Sequence, residues 1–185
     1  MSVSAKVASR LLAITIFSAT ALFPPVLGSV TRNPPSAEVA AQLDAAKVQA
    51  SDLARDADEM TALLRNDSSW QSHADTLNRI AKHVNNMGKI LEQLQSERDQ
   101  ASPWQQQAID RMVPLLKEIA NNTTAAIEHL NKNQLRPVSG DYKNYLQQNA
   151  DTSHELADMI SAFEKYGRTR AKLEELQDKI EAPTH

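Results

Sequence analysis

The sequence predicts an all-α fold: an antiparallel up-down-up-down four-helix bundle with long helices, the fourth overhanging the rest. Three observations carry that expectation. Apolar residues recur at alternating steps of three and four along four separate stretches, which lays each set along one stripe of a helix. Glycine is scarce, at 4 residues, and aromatics make up 4% of the chain, a composition that suits long helices better than strands. Short breaks rich in Asn, Ser, Pro and Gly separate the stretches, and short connections make successive long helices antiparallel neighbours. A three-helix bundle with a separate fourth arm is the alternative arrangement. The chain of 185 residues has room for one domain with a core of useful size.

Residues 1–28 read as a secretory signal peptide. Lys6 and Arg10 precede an apolar run from Leu11 to Phe23, and Pro24-Pro25 and small residues around Gly28-Ser29 follow. The run is short of the ~20 residues a membrane-spanning helix needs. Val26-Leu27-Gly28 is the expected cleavage site, and retention as an anchor is the alternative. The same residues resemble a lipoprotein box, but Ser29 stands where the lipidated cysteine belongs, so lipidation is not expected. Cleavage would take the net charge from −3 to −5 by removing Lys6 and Arg10. The mature chain is then expected to be secreted or periplasmic, without stable membrane insertion. Residues 29–35, with Pro34-Pro35, form an extended leader to a bundle over 36–182.

Helix one is expected over about 36–65. Ser36 is its N-cap and Glu38 sits favourably in the first turn. Its stripe is Val39, Leu43, Ala46, Ala50, Leu53, Ala57, Met60 and Leu64. Helix two, about 68–99, starts at Ser68 or Ser69, and Ser68 with Gln71 has the form of a capping box. Its stripe is the most regular in the chain: Trp70, His73, Leu77, Ile80, Val84, Met87, Leu91, Leu94 and Arg98.

Helix three, about 102–135, opens with Ser102 as cap, Pro103 at the first helical position and Gln105 completing a capping box. Ile109, Met112, Leu116, Ile119, Thr123, Ala126 and Leu130 form its stripe. Pro114 lies inside it and predicts a static kink, since proline cannot donate the helical hydrogen bond. Helix four, about 140–182, follows the turn from Arg136 to Gly140. Its stripe runs Tyr142, Leu146, Asn149, Ser153, Leu156, Ile160 and Phe163, shifts register at Tyr166, and recovers at Leu173, Leu176 and Ile180. At ~60 Å against ~45 Å for the first two helices, its end should project past the bundle, fray or pair with a second chain.

Several function classes are excluded or weakened by composition. The absence of cysteine removes disulfides, thiolate metal sites and cysteine nucleophiles. A mild negative charge gives no basis for nucleic-acid binding. The serines cluster at caps and turns and no glycine-rich phosphate loop exists, so no enzyme is expected.

One cofactor site is conceivable. His73 and His129 fall at a similar height near one end of the bundle, with Met60 at that level on helix one and His154 further down. Asn149, Ser153 and Thr123 make the same half of the core polar. Facing His and Met side chains hold haem or transition metals in some bundles. The plainer reading makes His73 a partly exposed seam residue, His129 a solvent-facing one, and the polar residues a device for register. The Glu-x-x-His repeats of di-iron bundles are absent. The outline is similar to that of the soluble b-type cytochromes, but Met60 is late in helix one and His154 early in helix four, so no haem ligand is carried over. No cofactor is therefore expected.

Two charged faces remain. Asp52, Asp56, Asp58 and Glu59 read as a solvated acidic face. Lys165, Arg168, Arg170 and Lys172 form a basic patch on the overhang, with helix-stabilising pairs Glu164–Arg168 and Glu175–Lys179 at i, i+4. The expectation that follows is a structural or protein-interaction role, with an unknown protein partner or self-association through helix four.

Overall fold

The computed structural model describes residues 33–65 and 68–181. The expected signal peptide and most of the leader lie outside the described residues, as do Asn66-Asp67 and the last four residues. Four helices follow one another: α1 (Ala37–Leu63), α2 (Trp70–Ser96), α3 (Pro103–Lys132) and α4 (Tyr142–Glu181), with a 3-10 turn at Arg98–Gln100. Each packs on two neighbours, α1 on α2 and α4, α3 on α2 and α4, which closes a four-helix bundle.

The order of cross-helix contacts is reversed between α1 and α4. Lys47 meets Glu164, and Asp58 meets His154, eleven residues further up α1 but ten earlier on α4. The contacts of α3 with α4 run the same way, from Trp104 beside Tyr166 to Thr123 beside Asn149.

Serine begins each of the first three helices, because its side-chain oxygen satisfies an amide that the first turn leaves without a partner. Ser36 Oγ accepts from Val39 N at 3.3 Å. Ser69, not Ser68, caps α2, accepting from Ser72 N at 3.3 Å. The α3 start is more than a local cap. Gln105 is fully buried, and its Oε1 accepts from the amides of both Ser102 and Ser36 at 3.0 Å while its Nε2 donates to Ser36 O at 2.8 Å. One glutamine side chain thus ties the starts of α1 and α3 together across 69 residues of sequence.

The helices are shorter at their ends than expected. α3 stops at Lys132 rather than 135, where Asn133 leaves helical geometry and its Nδ2 donates back to His129 O. Gly140 at φ +53°, a left-handed conformation natural only to glycine, turns the chain into α4. α3 runs unbroken through Pro114, which lies on the exposed face. There the Asp110 carbonyl that proline cannot serve is within reach of water.

The expected stripes form the core. Leu43, Leu53, Leu77, Ile80, Met87, Leu94, Ile109, Met112, Leu116 and Ile119 are all fully buried, each contributing about 1.5–3 kcal/mol by leaving water. The stripe of α4 behaves this way only as far as Ile160 and the half-buried Phe163. Leu173, Leu176 and Ile180 are 56, 47 and 83% exposed, and every residue from Ala171 to Glu181 is exposed. The last three turns of α4 project beyond their neighbours.

Candidate functional site at the root of the projecting helix

His73 and His129 are brought together, but not as two open ligands. Both pack on Tyr142, the buried first residue of α4. His73 Nδ1 lies 3.2 Å from the Tyr142 hydroxyl, and the His129 ring stacks on the Tyr142 ring at 5.1 Å. His129 Nε2 meets Ser139 Oγ at 3.3 Å. His73 is fully buried rather than a partly exposed seam residue, and His129 is half-buried rather than solvent-facing. The reason is that Tyr142 enters the bundle end between α2 and α3 and supplies a ring for both imidazoles. Burial pushes the His73 pKa down and the Tyr142 pKa up, so both are neutral near pH 7.

Met60 is buried in the apolar core. His154 lies apart on the surface, its Nε2 2.9 Å from Asp58 Oδ1. Among the described residues no three His, Asp or Glu side chains are grouped to hold a metal ion. The polar half of the core is real: Asn149 Nδ2 donates to Thr123 Oγ1 at 2.9 Å, and Ser153 is buried one turn further on.

The acidic face of α1 is solvated at Asp58 and Glu59, but Asp56 is buried in an ion-pair network. Asp56 is 4% exposed; it accepts from Arg79 Nε at 3.2 Å and lies 3.6 Å from His83 Nε2. Arg79 also reaches Glu59 at 2.6 Å, and Arg55 pairs with Asp52. Asp56 and Glu59 link α1 to α2 through Arg79, while Asp52 pairs within α1 and Asp58 faces His154 on α4. The spacing along α1 alone could not show that Arg79 and His83 stand opposite.

A surface groove of about 610 Å³ lies where α4 passes the start of α3. Trp104, Met159, Phe163 and Tyr166 wall it, and Arg111 and Arg170 stand at its edges. Tyr166 packs edge-on to Trp104 at 6.2 Å, and Arg111 caps the Phe163 ring with its guanidinium 5.7 Å from the centroid. Trp104 can sit so close to α4 because Gly167 has no side chain there. Just above the groove, Glu164 is buried against α1, where Lys47 Nζ donates to its Oε2 at 2.7 Å. Desolvation pushes the Glu164 pKa up, Lys47 pulls it down, and nearby Asp44 adds to the rise.

The basic patch flanks this groove. Arg168 reaches Glu164 at 3.5 Å and Arg170 pairs with Glu174 at 2.9 Å; the pair Glu175–Lys179 is also formed. Sequence reasoning missed the groove, although the register shift at Tyr166 beside Gly167 marks the place where α4 leaves the bundle.

Among the described residues no helix is long and apolar enough to cross a membrane. No family model matches the chain, and no curated protein or solved structure matches it either.

Proposed function

We propose that this chain is a non-enzymatic helical bundle, secreted or periplasmic, that works through protein contacts made by the projecting part of α4 and the groove at its root. The observation that carries this reading is an apolar stripe, interrupted at Arg170, that the bundle leaves uncovered past the groove. It leaves the groove at Phe163 and Tyr166 and continues through Leu173, Leu176 and Ile180, all three largely exposed. Single exposed apolar residues are ordinary, but a contiguous set at helical spacing beside a groove is characteristic of an interaction surface. The compartment rests on the charge and apolar pattern of residues 1–28.

The test places a photo-crosslinking side chain at Leu176 in the full chain, with one at Lys143 on the far end of α4 as control. Protein adducts are expected from Leu176, to this chain or to another, and they should vanish when Leu173 and Ile180 are both changed to Glu. The absence of adducts from Leu176 would overturn the reading. So would a visible haem band or near-stoichiometric metal in the purified protein.

A further inference from the structure

We infer that the groove is filled by the α4 tip of a second copy of this chain, the two projecting helices packing antiparallel about a two-fold axis. The inference rests on the reading of α4 as a contact surface and adds its partner and its direction.

The argument starts from charge. At the root of the projection, Glu164, Lys165, Arg168, Arg170 and Lys172 carry a net +3. The tip, Glu174, Glu175, Asp178, Lys179 and Glu181, carries a net −3. Arg111 adds a further cation beside the groove and has no ion pair among the described residues. Two copies aligned in parallel would set root on root and tip on tip, like charge on like. Antiparallel alignment sets each acidic tip on the basic root of the other copy.

The apolar pattern agrees. The groove side of α4 presents Met159, Phe163, Tyr166 and Arg170, and steps of three and four continue it through Leu173, Leu176 and Ile180. One face therefore carries both the groove and the segment to fill it, as a two-fold interface requires. When Leu173 of one copy lies near Arg170 of the other, Leu176 reaches the level of Tyr166 and Gly167. Ile180 then reaches Ala162 and Phe163, inside the groove. From Tyr166 to Glu181 the helix is about 24 Å long. Covering one side of it, twice over and with the groove walls, is of the order of the ~800 Å² per partner that stable pairs bury.

The chain has no cysteine, so introduced thiols report position cleanly. Ala162 and Ile180 are both exposed, and Ala162→Cys and Ile180→Cys should leave the fold intact, checked by helical content. Under mild oxidation the mixture of the two variants is expected to form a disulfide-linked heterodimer at least ten-fold faster than either variant alone. In the inferred register, each residue lies roughly 27 Å from its own counterpart in the other copy. Sedimentation of the unmodified full chain should show a monomer–dimer equilibrium that shifts toward monomer several-fold as salt is raised. Rapid Ile180→Cys self-linkage without the mixed product would mean parallel pairing and overturn the inference. A chain monomeric at every concentration would overturn it as well, and adducts from Leu176 to a different protein would then leave the broader interaction reading standing.

Discussion

The six-membered ring of Trp104 lies against the backbone of Gly167, so closely that a β-carbon there would stand 2.6 Å from Cη2 and Cζ2. This contact seats the indole as a wall of the groove and sets where α4 stops being part of the bundle. Replacing Gly167 with Ala gains about 1 kcal/mol of helix propensity. It also forces the indole or the helix to move, at a cost of about 1–3 kcal/mol. A net loss of about 1 kcal/mol is expected in chemical unfolding of Gly167→Ala, with a change in Trp104 fluorescence. A more stable variant would show that the indole gives way freely.

The stability of the bundle should end at Arg170, not at Phe163. Residues beyond Arg170 are exposed within the single chain, so at concentrations dilute enough for the chain to be monomeric, truncation after Arg170 should change unfolding stability by no more than about 0.5 kcal/mol. Truncation after Phe163 also removes Glu164 from Lys47 and Tyr166 from Trp104. It should lower the melting temperature by several degrees. Equal losses from the two truncations would contradict the placement of the projection.

Gln105 joins two helix starts with three backbone hydrogen bonds in a buried setting. Gln105→Ala leaves those groups without partners, each costing about 1–3 kcal/mol less whatever water recovers. A loss of about 2–4 kcal/mol is expected in urea unfolding. A loss below ~1 kcal/mol would mean that water serves the two caps equally well.

The His73 imidazole gives the fold a pH dependence of known sign. Its folded pKa lies below the usual 6.5, because burial disfavours the charged ring. Below pH 6.5 the unfolded chain takes up a proton that the folded chain refuses, so this contribution is fully present above pH 6.5 and falls away as pH drops toward the folded value. Each unit of separation adds about 1.4 kcal/mol to the effect. Melting temperatures of wild type and His73→Leu, followed from pH 7.5 to 5, should diverge, with the steeper fall in wild type. Parallel curves would show that His73 titrates alike in both states.

The two candidate sites were not equally legible. The pairing of His73 with His129 at one end could be read from helix heights, because loops this short leave little freedom in how far one helix slides past the next. What lies between them could not, since Tyr142 looks like any other first residue of an apolar stripe. Among the acidic residues of α1, Asp56 misled for a related reason. Asp56 sits one position from Ala57 on the buried stripe, and whether it meets water or Arg79 depends on which face α2 presents.

The sequence by itself determined four helices, their caps at Ser36 and Ser102, and the residues of the core. These follow from chemistry within a few turns: side-chain periodicity, the first-turn amides that serine satisfies, and the propensities of individual residues. The tertiary structure alone decided that Gln105 spans two helix starts, that Tyr142 separates two histidines, and that Leu173, Leu176 and Ile180 remain uncovered. In sequence those three residues are indistinguishable from Leu146, Leu156 and Ile160. Periodicity states that a face is apolar, but only the lengths and relative heights of the neighbouring helices decide whether anything is there to cover it.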